Sequence, residues 1–170
     1  MPNTRMRQLL LALLVALLVG GGLLAPSSAS AESKRTERIK QSVKVALRQV
    51  GDPYVYGAAG PGAFDCSGYF YFSYRSAGFK SIPRTSSAQS GWGRPVRKEK
   101  MRRGDMMFFY GAGGVYHASI FLKWNRGRAI MLDAPYPGRR VHRTTPWTSQ
   151  WFGRTLRVHK EAKVRGAALN

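Results

Sequence analysis

The stretch FDCSGYFYFSYRSAG, residues 64–78, is the part of this sequence that decides how the rest is interpreted. Its apolar side chains recur at helical spacing, at Phe70, Tyr74 and Ala77. Gly78 then suits a C-terminal cap, so the pattern predicts a helix that begins at Cys66. The many aromatic residues would also suit a strand, but the length of the stretch and its terminal glycine favour the helix.

Cys66 is the only cysteine among the 170 residues, and its predicted position makes it a candidate nucleophile. Unpaired backbone N–H groups and the helix dipole favour a negatively charged sulfur at the first turn of a helix. Ser67 and Gly68 add little bulk there, so a substrate could approach. Asp65 could accept hydrogen bonds from a substrate amine or could cap the helix, and the sequence leaves both roles open.

The N-terminal segment has the three parts of a secretory signal peptide. Arg5 and Arg7 form a basic start, an apolar run covers residues 9–25, and Ala29 and Ala31 stand at the −3 and −1 positions of a cleavage site. The alternative is an uncleaved membrane anchor, but the run is short for a bilayer span and contains three consecutive glycines. In an exported chain, a single thiol is either buried and inert or reactive.

The length after this segment suits one domain. We predict a signal peptide over residues 1–31, a single domain over residues 32–160 and a C-terminal tail over residues 161–170. The chain would then be secreted to the cell wall or the periplasm, and we expect it to be monomeric.

The chain is strongly basic, with 28 Lys and Arg against 8 Asp and Glu and a formal net charge of +20 at pH 7. This balance predicts a polyanionic or acidic partner surface. A phosphate-rich wall polymer or a membrane surface is more accessible to an exported protein than nucleic acid, for which the sequence has no recognisable motif. The densest run, RPVRKEKMRR over residues 94–103, is either a solvated face or a surface that retains the protein on anionic wall polymers.

The order of the predicted elements indicates an α+β fold. Helices are predicted over residues 32–50 and 66–78, with one helical turn over residues 86–89. Strands are predicted over residues 105–110, 115–123, 128–134, 139–145 and 154–160. We therefore expect a compact domain in which N-terminal helices pack on an antiparallel sheet of about five strands.

A nucleophilic cysteine needs a base, and the sequence offers His117, His142 and His159. Basic side chains flank the last two and oppose charging of their imidazoles, so His117 is the best candidate. It lies in the apolar strand VYHASIFL, where a polar side chain is costly unless it is paired. The other interpretation is a core histidine with a satisfied hydrogen bond and no catalytic role.

Asp133 is the candidate for the group that orients this imidazole. It ends the strand after the one that carries His117, and a hairpin turning at residues 125–127 would bring the two side chains to the same end. The alternative role of Asp133 is to cap the turn at Pro135.

Six ordered segments resemble the NlpC family of bacterial cell-wall cysteine peptidases. They are GDPYVYG (51–57), FDCSGYF (64–70), IPRTSSAQ (82–89), RRGDMMFF (102–109), HASIFL (117–122) and DAPYPG (133–138). With WFGRTLRV near the end, the resemblance covers residues 39–158. It implies a papain-like fold and hydrolysis of peptidoglycan stem peptides, most often between D-glutamate and a diamino acid. No cofactor is implied, and no metal, since the sequence has no Cys/His ligand cluster.

The resemblance also implies roles for individual residues. The family's nucleophile falls on Cys66 and its base on His117. The tyrosine that lines the site and assists the oxyanion falls on Tyr54. The aspartate that helps to hold the substrate's free amine falls on Asp65, with Ser67 beside it.

The third catalytic position of the family, most often a histidine, falls on Asp133. This is a departure from the family pattern. An aspartate can hold the far N–H of an imidazole and stabilise its charged form, so the change is compatible with catalysis.

Two other classes of function stay open at this point. One is a papain-like amidase or acyltransferase that acts on another substrate. The other is a non-catalytic, basic wall-binding protein. The reactivity of Cys66 separates the second class from the enzymes, and the products of a wall digest separate the first class from a peptidoglycan peptidase.

Overall fold

A computed structural model describes residues 28–157. Most of the predicted signal peptide, His159 and the predicted C-terminal tail lie outside the described residues, so the domain limits stay predictions. The candidate site lies in the compact unit Glu32–Asn170. Within residues 28–157, no helix combines the length and the apolarity that crossing a bilayer would need.

Helices precede an antiparallel sheet of six strands, which confirms the expected α+β fold. The helices are α1 (Ser28–Arg48), α2 (Cys66–Ser76) and α3 (Ser86–Ser90), and a 3₁₀ turn covers Lys98–Lys100. The strands are β1 (Arg94–Val96), β2 (Met106–Gly111), β3 (Gly114–Asn125), β4 (Arg128–Asp133), β5 (His142–Thr144) and β6 (Trp151–Thr155). Their order across the sheet is β1-β6-β2-β3-β4-β5.

The sheet has one strand more than predicted. The additional strand, β1, lies in the basic run and pairs with β6, with Arg94 opposite Thr155 and Val96 opposite Gly153. Three residues that include a proline are too few to show an alternating pattern, so the sequence carries no signal for this edge strand.

The last strand lies earlier than predicted. It begins at Trp151 rather than at residue 154, because Trp151 and Phe152 pair with Phe109 and Phe108 of β2. The preceding segment is rich in Thr, Ser and Pro, which show no alternating strand pattern. Partners in another part of the chain, rather than local pattern, set this boundary.

Helix α2 begins at Cys66, as predicted, and buries an aromatic face against the rest of the domain. Tyr69, Phe70 and Tyr74 are fully buried, and the rings of Phe70 and Tyr74 stack with centroids 4.2 Å apart. The hydroxyl of Tyr69 donates to the carbonyl of Ala46 in α1 at 2.8 Å, and that of Tyr74 donates to the carbonyl of Gly104. Each large apolar side chain contributes about 2–3 kcal/mol through burial, so this face fixes the helix against the domain core.

Strands β3 and β4 form the predicted hairpin. Asn125 pairs with Arg128, and the two residues between them, Arg126 and Gly127, have φ values of 49° and 76°. Two central residues with positive φ define a type I′ turn, whose twist matches that of the flanking strands. The hairpin therefore brings the start of β3 and the end of β4 to the same end of the sheet, along the strand direction.

Candidate active site

The start of α2 holds the free thiol of Cys66, which is half-buried. The backbone of the preceding loop packs directly against this helix start. A Cβ atom added to Gly68 would lie 2.0 Å from the carbonyl oxygen of Ala58, so only glycine fits there without moving the loop. The glycine of the FDCSG stretch therefore permits a close approach between the loop and helix α2.

Asp65 caps this helix, and protein donors occupy both of its oxygens. Oδ1 accepts hydrogen bonds from the backbone N–H of Gly68 at 2.6 Å, from Oγ of Ser67 at 3.0 Å and from Nη1 of Arg84 at 3.2 Å. Oδ2 accepts from Nη2 of Arg84 at 2.7 Å and from the N–H of Gly57 at 3.0 Å. Burial raises the pKa of the Asp65 carboxyl, but the hydrogen bonds and the Arg84 charge outweigh burial and leave it below its usual value.

The structure thus gives Asp65 the capping role, one of the two roles that the sequence left open. Holding a substrate amine, as the resemblance implies, would require one of the five hydrogen bonds to be exchanged for a bond to substrate. That role stays a prediction.

His117 and Asp133 form a buried pair at the open end of the β3–β4 hairpin, opposite its turn. Nε2 of His117 lies 2.6 Å from Oδ1 of Asp133, and the two residues are 5% and 1% exposed. The hydroxyl of Ser119 donates to the same carboxylate oxygen at 2.9 Å. The carboxylate therefore holds one imidazole nitrogen in a fixed direction.

The other imidazole nitrogen faces the thiol. Because Nε2 is bound to Asp133, Nδ1 is the nitrogen available for the hydrogen bond between His117 and Cys66. Burial lowers the pKa of His117, but the hydrogen bonds to Asp133 and Cys66 and the negative charges of both raise it to about 9. The imidazolium form of His117 is consequently favoured at neutral pH. A positively charged imidazole is the partner that stabilises a neighbouring thiolate.

Tyr54 completes the set of predicted site residues. It is half-buried, and its backbone N–H donates to the carbonyl of Arg139 at 2.8 Å. Burial, followed by the negative charges of Cys66 and Asp65, raises the pKa of Tyr54. Its hydroxyl therefore remains protonated at neutral pH and can donate a hydrogen bond close to the thiol.

Two stacked aromatic rings pack beside the imidazole of His117. Phe109, on the neighbouring strand β2, meets it edge-on with centroids 5.5 Å apart. Trp147, in the loop between β5 and β6, meets it edge-on at 5.1 Å and stacks on Phe109 at 4.3 Å with an interplanar angle of 11°. The imidazole thus packs beside a stacked pair made of a buried phenylalanine and an indole that is 54% exposed.

A family model described as the NlpC/P60 family matches residues 51–160. The chain belongs to the NlpC/P60 family. This confirms the resemblance drawn from the ordered motifs, and NlpC/P60 proteins are a family of cysteine peptidases.

Curated NlpC/P60 relatives are named as endopeptidases. A probable endopeptidase of Corynebacterium glutamicum is 41% identical over 97 residues, which cover 57% of this chain and 44% of that protein. The peptidoglycan endopeptidase RipA of Mycobacterium tuberculosis is 37% identical over 112 residues, which cover 58% of this chain and 22% of RipA. The chain therefore spans less than half the length of these curated relatives.

Solved NlpC/P60 structures share the fold. The NlpC/p60 domain of the peptidoglycan hydrolase SagA matches with a TM-score of 0.61 and 29% identity, over 69% of this chain and 98% of that domain. The peptidoglycan hydrolase RipB of Mycobacterium tuberculosis matches with a TM-score of 0.63 and 26% identity, over 83% and 76% of the two chains. RipD of the same organism, described as a non-catalytic NlpC/p60 domain protein, matches with a TM-score of 0.57 and 24% identity. The fold alone therefore does not decide catalysis, and the side chains at the site must.

Sequence reasoning missed four residues of this NlpC/P60 site. Arg84 also donates to Oγ of Ser67 at 2.9 Å and to the carbonyl of Gly57 at 2.8 Å, and buried Gln89 donates to the carbonyl of Ser67 at 2.9 Å. Both residues belong to the segment IPRTSSAQ, but its sequence pattern assigns no role to either side chain.

The other two missed residues are Ser119 and Trp147. Ser119 stands two residues after His117, on the same face of β3, so strand periodicity could have suggested it. Trp147 lies in an irregular loop, where no pattern relates it to the imidazole.

Proposed function

We propose that this chain is a cysteine endopeptidase that hydrolyses amide bonds in peptidoglycan stem peptides. The observation that carries the proposal is the arrangement of Cys66 with the buried His117–Asp133 pair. The names of the curated relatives support a wall substrate. The further proposal, that the bond joins the side-chain carbonyl of D-glutamate to a diamino acid, rests on the family resemblance.

The first chemical step is attack of the Cys66 thiolate on the substrate carbonyl carbon. A C–S bond forms, and the carbonyl electron pair moves onto the oxygen. The backbone N–H of Cys66 has no acceptor within the first turn of α2, so it can donate to this oxyanion. The Tyr54 hydroxyl is a second donor. Loss of one such donor typically lowers the rate by about 10²- to 10³-fold.

The second step is collapse of the tetrahedral intermediate. His117 gives a proton to the nitrogen of the leaving amine, the C–N bond breaks and an acyl-enzyme remains. Water then attacks the acyl carbon, and His117 accepts its proton, so that the thiolate leaves and the free enzyme returns. Asp133 holds the Nε2–H group through both steps and stabilises the positive imidazole.

We also propose that the chain is exported through a signal peptide over residues 1–31. The basic start, the apolar run and the two alanines before residue 32 support this proposal. N-terminal sequencing of the protein recovered from the wall or the medium should then begin at Glu32. An intact N-terminus in the membrane fraction would support the uncleaved anchor instead.

The basic surface gives a second proposal, retention on anionic wall polymers. Residues 94–103 contain six basic side chains and one acid. The structure has no ion pair from these six to an acid among residues 28–157. Unpaired surface cations attract polyanions, and the attraction weakens as ionic strength rises.

Mass spectrometry of muropeptides tests the proposed activity. Purified peptidoglycan is incubated with the wild-type chain and, as the matched control, with Cys66→Ala. The wild type should release fragments with a new diamino acid N-terminus and a matching new glutamyl carboxylate, and the variant should release none. Identical products from both proteins would refute the proposal.

Alkylation measures the nucleophile independently of any substrate. Because Cys66 is the single cysteine, iodoacetamide reports on it alone. In the folded protein at pH 7 it should react faster than free cysteine. A slow thiol would favour the non-catalytic wall-binding function, whereas a fast thiol without stem-peptide products would favour an amidase or acyltransferase on another substrate.

A further inference from the structure

Trp147 is a large aromatic side chain that stays exposed beside the candidate base. One face of its indole stacks on buried Phe109, and its edge approaches the ring of His117. The residue is nevertheless 54% exposed, so the opposite face of the indole is open to solvent. A fixed, exposed aromatic face next to reacting groups is typical of a ligand contact.

Hydrogen bonds hold the loop that carries this indole. The ammonium of Lys98 donates to the carbonyl of Ser149 at 2.9 Å, and the backbone N–H of Tyr110 donates to the carbonyl of Gln150 at 3.1 Å. The N–H of Gln150 donates to Oγ1 of Thr148 at 3.1 Å. The indole is therefore positioned before substrate arrives, which lowers the entropic cost of a contact with it.

The chemistry of His117 determines which part of a substrate would reach the indole. The imidazole must come within about 3 Å of the nitrogen that it protonates, which belongs to the leaving amino acid. The centroids of the imidazole and the indole are 5.1 Å apart. The side chain of the leaving amino acid is consequently within reach of Trp147, whereas the acyl part lies toward Cys66 and Tyr54.

We infer that Trp147 determines specificity for the leaving amino acid, and that its open face binds the aliphatic side chain of a diamino acid. This inference rests on the proposed function. Several methylene groups would cover the indole face, and a terminal ammonium would be attracted by its π electrons. A substrate with alanine as its leaving amino acid would make neither contact with the indole.

Two synthetic peptides test the inference, one with L-lysine and one with L-alanine as the leaving residue after a side-chain-linked D-glutamate. Trp147→Ala should lower kcat/KM for the lysine peptide by about 10-fold more than for the alanine peptide. Trp147→Phe, which keeps a ring against Phe109, should lie between. The matched control is Trp124→Ala, which removes an exposed indole that packs on Phe121 instead and should leave the ratio unchanged.

An equal loss for both peptides would overturn the inference, because it would mean that the indole only shields His117. Unchanged kcat/KM values for both peptides would overturn it as well. If the wild type cleaves neither peptide, the proposed function is refuted. Binding of the two peptides then tests the inference separately. The binding experiment uses Cys66→Ala, and the indole N–H resonance of Trp147 is assigned by its loss in Trp147→Phe. This resonance should shift when the lysine peptide is added and not when the alanine peptide is added. The absence of that difference would refute the inference.

Discussion

At the scale of single residues, Asp133 sets the protonation of the candidate base. The pKa of His117 is about 9 in the folded protein, against an ordinary value of 6.5. Burial acts in the opposite direction, so the hydrogen bonds to Asp133 and Cys66 and their charges must outweigh it. The imidazolium therefore persists through neutral pH and is lost as the pH rises through about 9.

We predict that Asp133→Asn lowers kcat/KM and moves the alkaline limit of activity to lower pH. The amide keeps the size of the side chain but loses the negative charge that stabilises the imidazolium, and a decrease of about 10²- to 10⁴-fold is expected. The measurement is kcat/KM between pH 5 and pH 10. Asp52→Asn, which changes an acid outside the His117–Asp133 pair, is the control, and an identical alkaline limit in wild type and Asp133→Asn would contradict the prediction.

The sequence predicted the contact between His117 and Asp133 but not the contacts of Arg84. The first follows from a short hairpin, in which two strands and a two-residue turn determine which residues meet. The second joins residues in separate loops, 19 positions apart, without any periodic pattern. Strand pairing thus determines that His117 and Asp133 meet. The contacts of Arg84 depend on loop conformations, which the sequence pattern does not specify.

At the scale of elements, the start of α2 depends on its contact with the loop before it. The loop backbone approaches Gly68 so closely that a Cβ atom would overlap the carbonyl oxygen of Ala58. The same loop carries the Gly57 groups that bind Asp65 and Arg84. Displacing the loop would therefore disturb the helix cap beside Cys66.

We predict that Gly68→Ala destabilises the protein, although alanine normally stabilises a helix interior by about 1 kcal/mol relative to glycine. The added Cβ atom would lie 2.0 Å from the carbonyl oxygen of Ala58, a backbone atom that cannot rotate away as a flexible side chain could. Urea unfolding should show a loss of stability of about 1–3 kcal/mol, together with slower alkylation of Cys66.

Gly113→Ala provides the comparison for this prediction. No heavy atom lies within 4 Å of a Cβ added there, and the position lies in the turn between β2 and β3. This variant should unfold close to wild type. If Gly68→Ala were as stable as Gly113→Ala, the prediction would be contradicted. The loop would then move away from the added methyl group without a loss of unfolding free energy.

Long, regular elements were predicted well, and short ones that depend on distant partners were not. Helix α2 and the β3–β4 hairpin carry local signals in their spacing, cap and turn. Strand β1 exists because β6 offers it hydrogen-bonding partners, and β6 itself is placed by β2. A pattern read along the chain contains no information on those partners.

At the scale of the whole molecule, folding makes the basic surface more uniform than the composition suggests. Asp65, Asp105 and Asp133 are buried, and each is bound to a positive or ionisable partner. Three of the eight acids in the sequence are thereby removed from the surface. The sequence has only five other acids against 28 Lys and Arg, so the net potential of the chain is positive.

We predict that retention on purified cell walls depends on where the positive charges lie. The triple variant Arg97→Gln, Lys100→Gln and Arg103→Gln should elute at lower salt than wild type, because it removes exposed charges from the basic run. The triple variant Lys123→Gln, Arg126→Gln and Arg128→Gln removes the same net charge from the tip of the β3–β4 hairpin and is the matched control. Equal elution of the two variants would mean that net charge alone, and no particular surface, retains the protein.

The type I′ turn at the tip of the β3–β4 hairpin also provides an attachment point for biosensor or imaging work. Arg126 and Gly127 are exposed, and His117 lies eight residues before Asn125 on β3, a distance of about 26 Å along an extended strand. A fluorophore or an affinity peptide inserted between these two turn residues would tether the protein by the end of the hairpin opposite His117 and Asp133. The candidate site would then remain accessible from the free side.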